Sequence, residues 1–147
     1  MGAASEIKKI KYVKLYMDIA KRVALMSHCE RTKVGSVIVK DGRIISMGWN
    51  GTPSGQDNCC EVDNVTKPEV LHAESNALMK LARFHESGEG AILYNTLSPC
   101  MDCAKMIYQA GIKIVYFNEF YRDDSGIDAL ERFGVNTIYT FPTEVKP

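Results

Sequence analysis

The sequence predicts an α/β fold of three layers (α-β-α), in which a mixed five-stranded sheet lies between helices. Two observations support this prediction. Five short runs rich in β-branched and aromatic residues alternate along the chain with stretches of helical periodicity. The first two runs are separated only by Asp41-Gly42, which is typical of an antiparallel hairpin, whereas helices join the later runs, which implies parallel crossovers.

The predicted elements follow in the order α-β-β-α-β-α-β-α-β. A helix is predicted over residues 6–28 because apolar residues recur three and four positions apart. A hairpin over 34–40 and 43–48 follows, and residues 56–68 are polar and irregular. The remaining elements are a helix from about 72 to 87, a strand at 91–97, a helix at 100–110, a strand at 112–117, a helix at 125–133 and a strand at 135–140.

Length and charge limit the functions to be considered. The 147 residues are predicted to form a single domain, 1–147, and no apolar stretch reaches the ~18 residues of a membrane span. The 18 basic residues balance the 18 acidic ones, which disfavours a polynucleotide partner because a phosphate backbone usually needs a basic face. Five cysteines, an odd number, and no signal-like N-terminus predict a reducing, cytoplasmic location.

Two short segments contain the residues for a catalytic metal site. Cys100 and Cys103 form a Cys-x-x-Cys directly after Pro99, which suits the start of a helix, so both sulfurs are predicted on one face of its first turn. His72 is predicted as the third ligand, and Glu74 is predicted beside the metal without binding it. Three protein ligands leave a fourth tetrahedral position for water, which is typical of a catalytic zinc.

Other interpretations of these residues are a redox pair or half of a structural zinc site. The redox interpretation is disfavoured because His72-x-Glu74 lies upstream, and a structural site would need Cys59 or Cys60 as its fourth ligand. Adjacent cysteines rarely bond each other without strain. Cys59 and Cys60 are therefore predicted to be two reduced thiols, with a second structural metal site as the alternative.

The segments His72-Ala73-Glu74 and Pro99-Cys100-x-x-Cys103 resemble those of the zinc-dependent nucleobase deaminases, and it is this resemblance that pairs them in one site. Among these enzymes the chain is most similar to the deoxycytidylate (dCMP) deaminases, from about residue 10 to residue 135. Three further segments carry this resemblance. They are Cys29-Glu30-Arg31-x-x-Val34-Gly35, Gly48-Trp49-Asn50-Gly51-Thr52-Pro53-Ser54-Gly55, and the continuation His72-Ala73-Glu74-x-Asn76-Ala77.

The resemblance implies a cytidine deaminase-like fold and the hydrolysis of dCMP to dUMP. Zinc would activate water, and Glu74 would take its proton, pass it to the ring nitrogen and later protonate the departing amine. A backbone carbonyl near Ser98-Pro99 is the hypothetical acceptor for that amine. The resemblance implies that Asn50 contacts the sugar. It also implies that the sugar-phosphate is contacted by Arg31, Thr52, Tyr121 and Arg122. Ala73 is a further implied substrate contact.

The resemblance also implies allosteric control. Family members are typically homohexamers that dCTP activates and that dTTP inhibits together with Mg²⁺. The implied effector residues are Arg83, Gly51 and Gly55. Arg83 stands eleven residues after His72, roughly 16 Å along a helix, and therefore cannot serve the metal at the start of that helix. A second zinc is not predicted, because the chain has too few histidines near its other three cysteines.

Two competing functions are considered. A tRNA adenosine deaminase would share every metal residue, but the neutral net charge and the loop at 50–55 disfavour it. A non-catalytic zinc or nucleotide-binding module is disfavoured by Glu74, since a structural site has no use for an acid beside an open coordination position.

Overall fold

The computed structural model describes residues 2–140, and residue 1 and residues 141–147 of the predicted domain lie outside the described residues. Four helices and seven strands form within residues 2–140. The helices are α1 (Ala3–Ala24), α2 (Ala73–Arg83), α3 (Met101–Gln109) and α4 (Ser125–Arg132). The strands are β1 (Gly35–Lys40), β2 (Arg43–Trp49), β3 (Glu61–Val62), β4 (Val65–Thr66), β5 (Ile92–Leu97), β6 (Ile114–Glu119) and β7 (Asn136–Tyr139). Each described helix is too short or too polar to cross a membrane.

Five of the strands form one mixed sheet in the order β2-β1-β5-β6-β7. Strand β1 is antiparallel to both β2 and β5, and β5, β6 and β7 are parallel to one another. The mixed five-stranded sheet predicted from the sequence is confirmed. Helices α3 and α4 make the two parallel crossovers, because parallel neighbours cannot be joined by a tight turn.

The sheet separates α1 from the other three helices. Successive strand residues point to opposite faces, and this alternation creates two apolar clusters. Val37 and Tyr94 pack with Met17 of α1 on one face. Ile38 and Leu93 pack with residues of α2, α3 and α4 on the other face. The predicted three-layer α-β-α arrangement is confirmed.

Two helices end several residues earlier than predicted. Helix α1 ends at Ala24 rather than at 28. Directly after Ala24, three successive i→i−3 backbone hydrogen bonds form a turn. Helix α2 ends at Arg83 rather than near 87, because His85 has a φ of 60° and the N–H of Glu86 bonds to the carbonyl of Leu81 at 2.9 Å. This is a Schellman motif in which histidine occupies the position where glycine is usual, so the sequence lacks the ordinary stop signal.

The segment 56–68, predicted to be irregular, contains the short antiparallel hairpin of β3 and β4. Asp63 and Asn64, at its turn, have φ values of 51° and 62°, as a type I′ turn requires. Asparagine and aspartate tolerate this conformation better than most residues. Strands of two residues are too short for an alternating pattern to indicate them, which explains the difference from the prediction.

Helix α2 is held against the edge strand β2. Gly48 permits the close approach, because a Cβ atom at this position would lie 2.5 Å from the carbonyl oxygen of Ala73. The Nδ2 atom of Asn76 donates a hydrogen bond to the carbonyl of Trp49 at 3.0 Å. These contacts fix the first turn of α2 relative to the sheet.

Candidate active site

His72, Cys100 and Cys103 lie together at the starts of α2 and α3. His72 immediately precedes α2 and Cys100 immediately precedes α3, whereas Cys103 lies in the first turn of α3. An isolated antiparallel bridge between Gly51 and Leu71 sets the path of the chain just before His72. Strand β5 brings the chain to Cys100 from the sheet side. Two helix starts therefore converge on one point.

The ligand atoms have the spacing of a zinc site. The Nδ1 atom of His72 lies 3.5 Å from the sulfur of Cys100 and 3.3 Å from that of Cys103, and all three atoms lie within 4.8 Å of one another. Zinc bonds of about 2.3 Å to sulfur and 2.0 Å to nitrogen place tetrahedral ligands roughly 3.5 Å apart. Among the described residues this is the one such group of histidine, cysteine and acidic side chains. The donor set therefore fits zinc.

The Cys100 thiol is predisposed to ionise. A hydrogen bond from the Cys103 thiol, with a smaller contribution from His72, lowers the pKa of Cys100 to about 4. The N-terminus of α3 also favours negative charge at this position. Because the thiolate is the form of cysteine that binds metals, Cys100 is ready to act as a ligand at neutral pH.

Glu74 is buried beside these ligands. It lies in the first turn of α2 and is only 4% exposed. Burial raises the pKa of its carboxyl, and hydrogen bonds from its own backbone N–H and from the Asn95 side chain partly oppose this rise. A carboxyl with a raised pKa is a stronger base and takes up a proton more readily near neutral pH, which is what activation of water requires of a general base.

The site opens onto a cavity of about 330 Å³, a size within the range of small-molecule sites. His72, Glu74 and Cys100 line it, whereas Cys103 lies beneath, 1% exposed. Five of the six predicted substrate contacts also line it: Arg31, Asn50, Ala73, Tyr121 and Arg122. The sixth, Thr52, is half-buried and does not contribute to the lining.

The three predicted effector residues lie outside the cavity lining. Arg83 is exposed at the end of α2, and its guanidinium lies 5.9 Å from the centre of the Phe84 ring. Gly51 exchanges two backbone hydrogen bonds with Leu71, of 3.1 and 2.8 Å. Gly55 has a φ of 86° in the exposed part of the same loop. Gly51 thus adjoins the residue before His72, whereas Arg83 lies at the far end of α2 from His72.

Asn50 is held by the backbone that leads into β1. Its Oδ1 accepts a hydrogen bond from the N–H of Val34 at 2.8 Å, and its Nδ2 donates to the carbonyl of Thr32 at 2.7 Å. The hydroxyl of Ser27 donates to the carbonyl of Asn50 at 2.7 Å. A carboxamide has one further N–H and one further lone pair, so Asn50 has capacity for a ligand.

Arg31 is connected to the β3–β4 hairpin. Its Nη1 donates to the hydroxyl of Thr66 at 3.3 Å, and the carboxylate of Glu61 accepts hydrogen bonds from the N–H groups of Glu30 and Arg31 at 3.0 and 3.2 Å. Glu61 and Thr66 also line the cavity. The sequence does not indicate either residue as part of the site, because their position depends on a hairpin that has no periodic signal.

The prediction that Cys59 and Cys60 are both reduced is wrong for Cys60. Cys60 forms a disulfide with Cys29, whereas Cys59 is an exposed free thiol. The bonded cysteines are 31 residues apart, and they meet because the 56–68 segment folds onto the residues that precede β1. Cysteine spacing alone does not determine such a pairing.

The segment before Cys100 is fixed from two sides. On one side, the Oγ of Ser98 accepts a hydrogen bond from the N–H of Tyr121 at 2.6 Å, which places the loop after β6 at the cavity. On the other side α4 packs closely, since a Cβ atom on Gly126 would lie 2.0 Å from the carbonyl oxygen of Pro99. Only glycine permits two backbones to approach in this way.

The fold and the site together define a zinc-dependent deaminase: a His-Cys-Cys ligand set at two helix starts, with a buried glutamate beside it. The chain belongs to the cytidine and deoxycytidylate deaminase family, whose zinc-binding region matches residues 10–119. The resemblance indicated by the sequence motifs is thereby confirmed.

Relatives match most of the chain. The deoxycytidylate deaminase of Enterobacteria phage T4 is 35% identical, and the match covers 86% of this chain and 88% of that protein. The crystal structure of dCMP deaminase from cyanophage S-TIM5 in complex with dCMP and dUMP is 48% identical, with a TM-score of 0.85, and covers 95% of this chain and 99% of that one. A tRNA:A34 deaminase structure, 23% identical at a TM-score of 0.61 and covering 87% of this chain and 91% of that one, shares the fold alone.

Proposed function

We propose that the protein is a deoxycytidylate deaminase that hydrolyses dCMP to dUMP and ammonia. The observation that carries the proposal is that Glu74, a buried carboxyl, shares one cavity with His72 and Cys100 and with two arginines, Arg31 and Arg122. This cavity combines proton transfer, a metal centre and positive charge for a phosphate. The names of the T4 and S-TIM5 relatives support the same activity.

The chemistry divides between the metal ligands and Glu74. His72, Cys100 and Cys103 would hold zinc, which when bound supplies Lewis-acid activation of water. Glu74 accepts a proton from the attacking water and transfers it to the ring nitrogen beside the carbon under attack. It then takes the proton of the newly added hydroxyl, which becomes the carbonyl of the product, and gives it to the departing amine. The sum is one water consumed and one ammonia released. Burial of Glu74 favours this role, because few solvent molecules compete for its proton.

The backbone before Cys100 supports recognition of the leaving group. Ser98 lines the cavity, is 3% exposed, and has its own N–H bonded to the carbonyl of Glu119 at 2.8 Å. We propose a carbonyl at Ser98 or Pro99 as the acceptor for the exocyclic amine. A fixed acceptor there distinguishes an amine donor from the carbonyl of the product, which cannot donate.

The remaining lining residues suit a nucleoside monophosphate. Arg31 and Arg122 are proposed to bind the phosphate, with the Arg122 guanidinium stacked 5.4 Å from the centre of the Tyr121 ring. Asn50 is proposed to contact the sugar, and Ala73, fully buried at the start of α2, the base. Thr52 stays a predicted contact of the sugar-phosphate, although its side chain lies outside the lining.

The proposed function is tested by measuring ammonia release and zinc content on the purified chain. We expect hydrolysis of dCMP, none of the adenosine in tRNA, and zinc bound in a ratio of one per chain. Activity on tRNA without activity on dCMP would overturn the proposal in favour of a tRNA adenosine deaminase. Bound zinc without ammonia release from either substrate would instead favour a non-catalytic module.

We further propose a cytoplasmic homohexamer that dCTP activates and that dTTP inhibits with Mg²⁺, with Arg83, Gly51 and Gly55 near the effector. Arg83 is exposed and lies at the opposite end of α2 from His72, so it is free to serve a separate ligand. Arg83→Glu should reduce the response to both nucleotides and leave basal turnover intact. Arg43→Glu, an exposed charge reversal on β2, is the control. An unchanged effector response in Arg83→Glu would dismiss this role.

A further inference from the structure

The disulfide between Cys29 and Cys60 lies at the wall of the proposed substrate cavity. Both cysteines are buried, with 2% and 1% of their surfaces exposed, and Cys29 lines the cavity. Arg31 follows Cys29 by two residues, and Glu61 directly follows Cys60. The bond therefore joins two segments that both contribute side chains to the lining.

The side-chain hydrogen bonds that join these segments are exposed. Glu61 accepts from the backbone of Glu30 and Arg31, and Arg31 donates to Thr66, all at exposed positions where water competes. The β3–β4 hairpin has strands of only two residues, which are marginal without outside support. The disulfide is therefore the principal restraint that keeps the hairpin against the loop carrying Arg31.

The surroundings also accommodate the reduced form. The sulfur of Cys29 lies 3.7 Å from the carbonyl oxygen of Asn50, and that of Cys60 lies 3.7 Å from the carbonyl oxygen of Asn58. A thiol can donate to such an acceptor, whereas a disulfide sulfur carries no hydrogen to donate. In the reduced state each thiol thus has a carbonyl acceptor for its S–H group, so neither the reduced nor the oxidised form has an unpaired buried donor at these two cysteines.

A second metal site does not explain why Cys29 and Cys60 lie together. Among the described histidine, cysteine and acidic side chains, the one cluster with the spacing of a metal site is His72, Cys100 and Cys103. In a reducing compartment, disulfides are usually transient and serve catalysis or redox sensing. Cys29 lines the cavity, so a small thiol reductant can approach the bond from that side.

We propose that Cys29 and Cys60 form a reversible thiol–disulfide modification site that controls substrate affinity. A dithiol reductant transfers two electrons and two protons to the bond, yielding two thiols and its own disulfide. Reduction releases the hairpin, and Arg31 loses the hydrogen bonds to Glu61 and Thr66 that order it for the nucleotide. The metal ligands and Glu74 lie at the starts of α2 and α3, outside the released hairpin, so binding weakens while the chemical step is retained. This inference rests on the proposed dCMP deaminase function.

The test compares the oxidised and reduced full-length protein, with zinc content held constant. We expect three titratable thiols in the oxidised, denatured and zinc-free chain and all five after reduction. The KM for dCMP should rise roughly tenfold on reduction, equivalent to about 1.4 kcal/mol of binding, with kcat nearly unchanged. Amide hydrogen exchange in residues 58–67 should accelerate in the reduced protein.

Two serine variants of neighbouring cysteines sharpen the test. Cys60→Ser should have the high KM under both conditions, whereas Cys59→Ser should respond to reductant as the parent does. Five thiols in protein treated with an oxidising disulfide, or equal KM values in the two states, would overturn the inference. A second zinc lost specifically in Cys60→Ser would overturn it as well. If neither state deaminates dCMP, the proposed function fails, and thiol titration and hydrogen exchange still decide on the modification site.

Discussion

Ser36 on β1 donates a hydrogen bond to the side-chain oxygen of Asn95 on β5, its direct partner in the antiparallel register. Both residues are fully buried, and the Asn95 side chain also hydrogen-bonds the carboxyl of Glu74. The Asn95 amide has two N–H groups, one of which bonds to the carbonyl of Leu97. Buried polar groups are costly unless they are all bonded, and contact with the proposed acid-base explains why this pair is present.

Asn95→Ala should lower kcat by roughly tenfold to a hundredfold, with a smaller change in KM. The carboxyl of Glu74 would lose a hydrogen bond to a charged group, worth about 1.5–3 kcal/mol, and would no longer be held in one orientation. Steady-state kinetics on dCMP with matched zinc content measures the effect. Ser36→Ala, which removes only the hydrogen bond between Ser36 and Asn95, should lower kcat less. Full kcat in Asn95→Ala would show that the pair serves stability alone.

Glu74→Gln should retain zinc and lose turnover by roughly 10²–10⁴-fold, because the amide keeps the size of the side chain but cannot carry a proton. Metal analysis and ammonia release from dCMP are measured on the same preparation. Glu69→Gln is the control, since Glu69 is exposed and lies outside the cavity lining. Near-normal activity of Glu74→Gln would remove Glu74 from the mechanism.

Gly126→Ala should destabilise the protein by about 1–3 kcal/mol and lower its zinc occupancy. The added methyl group would meet the carbonyl of Pro99 at 2.0 Å, and relieving this clash moves the backbone of Cys100. Denaturant unfolding and zinc titration report the two effects separately. Gly2→Ala, where an added Cβ meets nothing within 4 Å, should change neither quantity. A destabilised variant with unchanged zinc affinity would show that the contact supports the fold only.

The order of helices and strands could be predicted from local signals in the sequence, whereas the convergence of His72 with Cys100 and Cys103 was indicated by the resemblance to the deaminases. Alternating apolar residues indicated the sheet, and Pro99 before a Cys-x-x-Cys indicated a helix start. The sequence did not indicate the end of α2 correctly, because His85 occupies the position of the Schellman motif where glycine is usual.

The missed parts of the site depend on contacts between distant segments. Glu61 and Thr66 reach the cavity through a hairpin with two-residue strands, and Cys60 finds Cys29 across 31 residues. Asn95 lies in β5, whose sequence indicates a strand and nothing more. In each case the side chain acquires its partner only when the chain has folded, so no spacing in the sequence indicates it.

Three tyrosines form a stack between α1 and the sheet on the face opposite the active site. The ring of Tyr94 lies 5.1 Å from that of Tyr16 and 5.0 Å from that of Tyr116, measured between centroids. Burial, together with the neighbouring phenols, raises the pKa of Tyr94, and burial raises that of Tyr116. The native state therefore holds these two protons more tightly than the unfolded chain does.

The free energy of unfolding should consequently fall as the pH rises above the tyrosine pKa of the unfolded chain, about 10, with each phenol contributing at most about 1.36 kcal/mol per pH unit. Below that pH the contribution is fully present. Tyr94→Phe removes one of the two groups, so its stability should fall less steeply between pH 9.5 and 11, in roughly the range where free tyrosine ionises. Denaturant unfolding at several pH values measures these slopes, and equal slopes for Tyr94→Phe and the parent would show that the Tyr94 phenol ionises as freely in the folded protein as in water.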